Sequence, residues 1–194
     1  MEIVKMSAVD ETYRQQVVAI FVEGFYREMK SLSKDKEKLM NAFEHSFVSD
    51  AYLLAVENEQ VLGILACSTD KKRALKFDKQ VLKKYFGWIK GSVGYKMLAQ
   101  SFEKPLTYGQ NAIYIESVAT APLARGKGVA TALFSYVFNH MNADRLVLEV
   151  VDYNEGARRL YERLGFVEFE RKYMKYPKLV GYKYGTFMER FNRK

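Results

Sequence analysis

The stretch ATAPLARGKGVATALF, residues 119–134, constrains this chain more than any other part of it. It leaves a strand-like apolar run, turns at Pro122, crosses Arg125-Gly126-Lys127-Gly128 and enters an apolar helix. A strand passing straight into a helix points to a layered α/β architecture. The junction also predicts an anion site. Helix-start N–H groups have no backbone partner, and the dipole end there is positive. Gly126 and Gly128 remove the side chains that would hold an anion off the backbone, and Arg125 and Lys127 add charge. The ligand chemistry this suggests is a phosphate or a pyrophosphate.

Helical and strand periods alternate around that junction. EIVKMS reads as a first strand. From Asp10, the recurrence of Tyr13, Val17, Phe21 and Phe25 predicts an amphipathic helix to about Met29. Ser33 can cap a second helix with Leu39, Ala42 and Phe43 inside. AYLLAVE and VLGILACS, separated by Asn58-Glu59-Gln60, predict a hairpin. Residues 71–104 read as helical in two pieces, broken around Gly87 and Gly91. AIYIESVAT is the next strand, and the helix after the junction runs to about Asn142. RLVLEVV follows as a strand, then NEGARRLYERLGF as a short helix closed by Gly165. FVEFERKYM and YKYGTFMER supply the last strands. This order predicts a mixed α/β sheet with antiparallel ends. No repeat, linker or low-complexity segment marks a boundary. One domain over residues 1–194 is expected, with 71–104 as an extra helical segment.

With 194 residues, 48% of them hydrophobic, the chain can bury a full core. Cys67 is the sole cysteine, which excludes an intramolecular disulfide, and His45 and His140 are the only histidines. No metal is expected. MEIVKM is too short and polar for a secretory core, and no apolar run approaches a membrane span, so a cytoplasmic chain is expected. The net charge of +8 is uneven. Residues 71–96 hold Lys71, Lys72, Arg73, Lys76, Lys79, Lys83, Lys84, Lys90 and Lys96 against Asp78 alone. Such a run can be a solvated helix face, or it can favour nucleic acid, an anionic membrane surface or an acidic ligand.

Three motifs compete for the junction. A Walker loop fails twice, because Ala121 stands where its first glycine should be and Gly128 where its Ser or Thr should be. The dinucleotide pattern Gly-x-Gly-x-x-Gly finds Thr131 in its last position, although Asp152 lies at a plausible distance for a ribose. The third pattern, Arg-x-x-Gly-x-Ala over residues 125–130, resembles the acyl-CoA loop of the GNAT superfamily of acetyl-CoA-dependent N-acetyltransferases. IESVATAPLARGKGVATALF resembles the family's strand, turn, loop and helix in unbroken register. Asn154, Ala157, Leu160, Tyr161, Gly165 and Phe166 match a second family pattern, Asn-x-x-Ala-x-x-Leu-Tyr-x-x-x-Gly-Phe. The likeness is specific over about residues 113–167.

The resemblance implies a GNAT-like fold, a mixed and mostly antiparallel sheet flanked by helices, with its middle strands splayed. It implies acetyl-CoA as cosubstrate and no metal. The pyrophosphate would lie on the amides of Gly126, Lys127, Gly128, Val129, Ala130 and Thr131, beside Arg125. Pantetheine would run along Val118, Ala119 and Thr120, pairing with free strand backbone. Asn154 would contact pantetheine, or simply cap its helix. Tyr161 would protonate the departing thiolate, or simply pack in the core. The Val118 N–H would stabilise the oxyanion.

A lysine-like amine is neutral in roughly one molecule per 2,500 at pH 7, so its proton needs an acceptor. Glu116 is the candidate base, a carboxylate in an otherwise apolar strand. Strand alternation puts it on the face of Tyr114 and Val118, and a cation on a neighbouring strand would give it a structural role instead. The histidines take no catalytic part, and Cys67 reads as a small buried hydrophobe. The expected acceptor is a small-molecule or peptide amine, and a homodimer is a further candidate assembly. Nucleic acid is not the expected partner, because it would leave Tyr161 idle. A nucleotide-dependent oxidoreductase would explain the junction alone, and a non-catalytic acyl-CoA-binding protein would use no general acid.

Overall fold

A computed structural model describes residues 1–192, with the backbone alone for Lys178 and Leu179. Its centre is a seven-stranded sheet in the order β1-β2-β3-β4-β5-β7-β6. The strands are β1 (Glu2–Lys5), β2 (Tyr52–Glu57), β3 (Gln60–Ser68), β4 (Ala112–Thr120), β5 (Arg145–Val151), β6 (Val167–Tyr173) and β7 (Tyr184–Phe191). Every neighbouring pair is antiparallel except β4 and β5, which run parallel. The helices are α1 (Thr12–Gly24), α2 (Tyr26–Met29), α3 (Lys36–Phe43), α4 (Lys79–Phe86), α5 (Trp88–Phe102), α6 (Val129–His140), α7 (Glu155–Arg163) and α8 (Pro177–Val180).

The sheet separates two cores. One face carries α1, α3 and α4, with Phe21, Phe43, Ile64 and Leu82 among its buried side chains. The other carries α6 and α7, whose Leu133, Phe134 and Tyr161 pack with Leu146, Leu148 and Phe166. α6 lies close to the sheet because β3 has Gly63 beneath it, where a Cβ would stand 2.7 Å from Val129 Cγ1. The β2–β3 turn puts Asn58 and Glu59 at positive φ, the geometry of a two-residue hairpin.

Local chemistry moves several predicted boundaries. The first helix stops at Gly24, and Phe25 leaves helical geometry (φ −114°, ψ 18°) before the short α2. Asp35, rather than Ser33, caps α3, accepting from the Lys38 amide at 3.1 Å. Residues 71–78 are not helical, because Asp78 caps α4 through the Gln80 and Val81 amides. The break before α5 falls at Gly87 alone, at φ 85°. Gly91 lies inside α5, where a side chain would strike the Leu82 carbonyl of α4. His45 is exposed.

Candidate active site

The β4–α6 junction leaves amides free. A short 3-10 turn at Pro122–Ala124 leads into Arg125, Gly126, Lys127 and Gly128, all exposed. Gly126 and Gly128 sit at φ 75° and 78°, the left-handed region that side chains rarely adopt. A Cβ at either would meet nothing within 4 Å, so open space lies above them. The first amide of α6 to find a backbone acceptor is that of Ala132, on the Gly128 carbonyl at 2.9 Å. The amides of Gly126, Gly128, Val129, Ala130 and Thr131 have none among the described residues. This donor cluster, with Arg125 and Lys127 beside it, fits a pyrophosphate group.

The sheet opens next to that junction. β4 and β5 pair from Ala112–Arg145 to Ile115–Leu148 and no further, although β4 continues to Thr120 and β5 to Val151. The splay expected from the resemblance is therefore present. On the other edge of β4 the register slips, since Ile64 pairs with Ala119 and Ala66 with Glu116. Ser117 and Val118 thus stand opposite Leu65 alone, with Ser117 at φ 55°. This is a β-bulge, which interrupts the alternation of side chains. Val118 consequently packs with the α6 core beside Ile113 and Ile115, while Ala119 joins the α1 core. Simple alternation would have kept Val118 on the Glu116 face.

Tyr161 and Asn154 reach the same region from α7. The Tyr161 ring is buried edge-on against Phe134 at 5.6 Å and near Phe166 at 6.2 Å. Its oxygen has no hydrogen-bond partner among the described residues, and burial pushes the phenol up to about 12. It therefore keeps its proton throughout the neutral range. Asn154 caps α7, with Oδ1 accepting from the Ala157 amide at 3.1 Å. That cap occupies the oxygen only and leaves its amide nitrogen as a donor.

The opposite face of the fork carries two carboxylates in matching positions. Glu116 and Glu149 each follow the last β4–β5 pair. Glu116 is buried and fully engaged: one oxygen accepts from the Ser68 hydroxyl, the other pairs with the Arg73 guanidinium at 3.3 Å. Arg73 comes from the loop before α4 and also donates to the Ser101 and Lys104 carbonyls. Glu149 has no such cation among the described residues. Lys172, the nearest influence of that sign, is bonded to Glu170 at 2.9 Å. Burial raises the Glu149 carboxyl above its usual range, partly offset by the Tyr182 phenol, Lys172 and the Tyr114 phenol. Gly185 on β7 makes the room, since a Cβ there would stand 2.0 Å from Glu149 Oε1.

Phenols surround this second carboxylate. Tyr114 stacks on Tyr108 at 5.5 Å, and burial raises both. Tyr153 donates to one oxygen of Glu28, and the Arg27 guanidinium lies 3.7 Å from the centre of its ring. The other Glu28 oxygen is buried with no partner among the described residues. Burial is also the largest cause raising Tyr182 and Tyr153, followed for Tyr182 by the charge of Glu149 and for Tyr153 by its bond to Glu28. These groups come from α2, the α5–β4 loop, β4, β5, the β5–α7 loop and the approach to β7, so no local sequence pattern reveals them together. Glu149 itself was legible. It is an acid inside the apolar RLVLEVV, the signal that singled out Glu116 in AIYIESVAT.

The remaining candidates have no part in this arrangement. Cys67 is buried and its thiol is pushed up to about 12, so it is not a nucleophile. His140 stacks on Tyr136 at 4.3 Å and lies 3.0 Å from that residue's carbonyl. No group of three or more His, Cys, Asp or Glu among the described residues could hold a metal. No helix among them is long and apolar enough to cross a membrane.

An interrupted parallel pair, a bulge and an open glycine junction together define an acyl-CoA-type acetyltransferase fold. The model of the acetyltransferase (GNAT) family matches residues 12–166, and the chain belongs to that family. A curated relative, N-alpha-acetyltransferase 30 of Schizosaccharomyces pombe, is 39% identical over 66 residues, covering 32% of this chain and 44% of the relative. The chain thus matches less than half of that relative's length. An N-acetyltransferase from Staphylococcus aureus superposes with a TM-score of 0.62 at 15% identity, over 98% of this chain and all of the other. A putative acetyltransferase from Salmonella typhimurium, solved with its cofactor acetyl-CoA, superposes at 0.56 and 16% identity, over 100% and 94% of the two chains. At these identities the likeness concerns the fold. A dinucleotide-binding sheet is mostly parallel, and the single parallel pair here removes that alternative.

Proposed function

We propose that this chain is an acetyl-CoA-dependent N-acetyltransferase that moves the acetyl group to a primary amine by direct attack in a ternary complex. The observation that carries this reading is the fork beyond Ile115 and Leu148, with free amides and Tyr161 on one face and Glu116 and Glu149 on the other. Acetyl-CoA, when bound, supplies an acyl group activated as a thioester. The amides of Gly126 and of Gly128 to Thr131, with the side chains of Arg125 and Lys127, would hold its pyrophosphate. The backbone of Val118, Ala119 and Thr120, unpaired towards β5, binds its pantetheine amides, with Asn154 as a side-chain donor.

The other steps belong to the protein's own groups. The acceptor nitrogen gives up a proton as it bonds to the acyl carbon, and the carbon–sulfur bond breaks. The Val118 N–H at the bulge is the donor for the acyl oxygen, and Tyr161 supplies the proton for the leaving sulfur. Two carboxylates compete for the role of base. Glu116 is tied to Ser68 and Arg73, whereas Glu149 has phenols but no cation beside it and is raised by burial above its usual range. Neighbouring carboxylates with such different surroundings divide their roles, and the one without a cation suits proton transfer. We assign the base to Glu149, and Glu116 to holding Arg73 and the strand end.

The acceptor class includes the α-amine of a peptide, a reading supported by the name of the yeast relative. Free-thiol release from acetyl-CoA, measured with small primary amines and with peptides bearing free N-termini, tests the activity. Binding without turnover on any amine would leave an acyl-CoA-binding protein. Gly128→Asp tests the cofactor site. Asp meets open space there but must take up the left-handed φ of 78°, a local strain of about 1 kcal/mol, so the fold should persist at slightly lower stability. Its charge enters the pyrophosphate cradle, and CoA affinity should fall at least tenfold, about 1.4 kcal/mol. Unchanged affinity by calorimetry in the folded variant would remove the site from residues 125–131.

A further inference from the structure

The α4–α5 hairpin carries a feature that acetyl transfer does not use. Trp88 and Ile89, at the first turn of α5, are 74% and 73% exposed, and Val93 one turn on is 52% exposed. Tight packing on the other side of α5 forces them outward. Gly91 sits against the Leu82 carbonyl and Gly94 against the Leu32 side chain, leaving no space to turn the helix over. The two helices that meet at this tip carry Lys79, Lys83, Lys84, Lys90 and Lys96, with no Asp or Glu anywhere in residues 79–102. Lys83 reaches over the Trp88 ring at 5.3 Å. The acids bounding the segment are already committed. Asp78 caps α4, and Glu103 accepts from the Phe77 amide at 2.7 Å. None of these lysines forms an ion pair among the described residues, so the patch presents positive charge beside an apolar tip.

We infer that the tip of this hairpin docks onto an anionic lipid surface, with Trp88 and Ile89 entering the headgroup boundary and the lysines lying on the phosphates. An indole beside an aliphatic residue is the combination that settles at a bilayer interface, where lysines keep their ammonium groups in the headgroup layer. A nucleic-acid surface would present stacking aromatics with arginines. Here the cations on the hairpin are all lysines, and Ile89 and Val93 have no π-face to stack. The other end of α5 meets the candidate active site, since the Ser101 and Lys104 carbonyls accept from Arg73, the partner of Glu116. Over the fifteen residues of α5, the tip stands about 22 Å from the helix end that Arg73 bonds. A docked protein would hold its acceptor side one helix length from the lipid.

Trp88 is the sole tryptophan, so its emission reports on this site directly. Full-length protein is mixed with phosphatidylcholine vesicles, and with vesicles carrying about one third phosphatidylserine. A blue shift and co-sedimentation on the anionic vesicles only, lost at high salt, are the expected results. Ile89→Ser should weaken sedimentation several-fold, and Trp88→Ser with Ile89→Ser at least about tenfold, by removing buried apolar surface. Lys84→Gln with Lys90→Gln should cost about tenfold or more at low salt. All four side chains are exposed, so circular dichroism should be unchanged. Unshifted Trp88 emission on anionic vesicles would overturn the proposal, as would full binding by the Trp88→Ser, Ile89→Ser variant. So would a shift produced by single-stranded RNA and not by vesicles.

Discussion

Replacing Glu149 by Gln is expected to lower kcat by about 10²–10⁴-fold while acetyl-CoA affinity stays near the parent value. The same change should make the protein more stable at neutral pH. Burial holds the Glu149 carboxyl above its usual range in the folded state. A group raised in this way stabilises the fold at pH values below its unfolded pKa and loses that contribution as pH rises through the folded one. The parent therefore loses stability as pH rises past the ordinary carboxylate range, and the amide does not. The gain in melting temperature should shrink as pH falls towards 4. Activity of the parent should rise through an ionisation above the ordinary carboxylate range, and the glutamine variant should lack that limb. Glu116→Gln is the opposite case. It leaves the mostly buried Arg73 without its charge partner and should destabilise the protein by about 3 kcal/mol. A Glu149→Gln variant with parental kcat would return the role of base to Glu116 or to water.

Tyr161→Phe should lower kcat at least tenfold, with CoA binding nearly unchanged. General acid terms are worth about 10²–10⁴-fold, and a thiolate that leaves readily uses the lower end. The ring contacts with Phe134 and Phe166 survive the change, and the lost hydroxyl had no protein hydrogen bond among the described residues. Stability should therefore alter little, and a folded, slow enzyme is the expected product. Because burial pushes the phenol up to about 12, this residue should add no ionisation of its own to the activity profile between pH 6 and about 10. Parental turnover with the best amine would make Tyr161 a packing residue.

The fold was legible where one local signal decides an element. AIYIESVAT and RLVLEVV are strands over the residues read from their apolar pattern, and the glycine junction leads into α6 as expected. The bulge was not legible. Ser117 carries no turn signal, and its positive φ is imposed by the mismatch between β3 and β4, a tertiary event. Arg73 was read as one cation in a basic run, and only the folded loop brings it to Glu116. The ring of phenols around Glu149 was hidden for the same reason, since Tyr114 and Tyr182 lie far apart in the sequence.

The short parallel seam between β4 and β5 has a mechanical consequence. Four residue pairs, Ala112–Arg145 to Ile115–Leu148, join the half-sheet β1–β4 to the half-sheet β5–β7. Beyond them no backbone ladder joins the two halves, and the side chains of the α6 core bridge them. A ligand chain lying in the gap would behave as a prosthetic strand, spanning both halves and restoring the missing ladder. Occupancy should then be felt as stiffness well beyond the site. Amide exchange along residues 116–120 and 149–151 would slow together, and the halves would melt as one body.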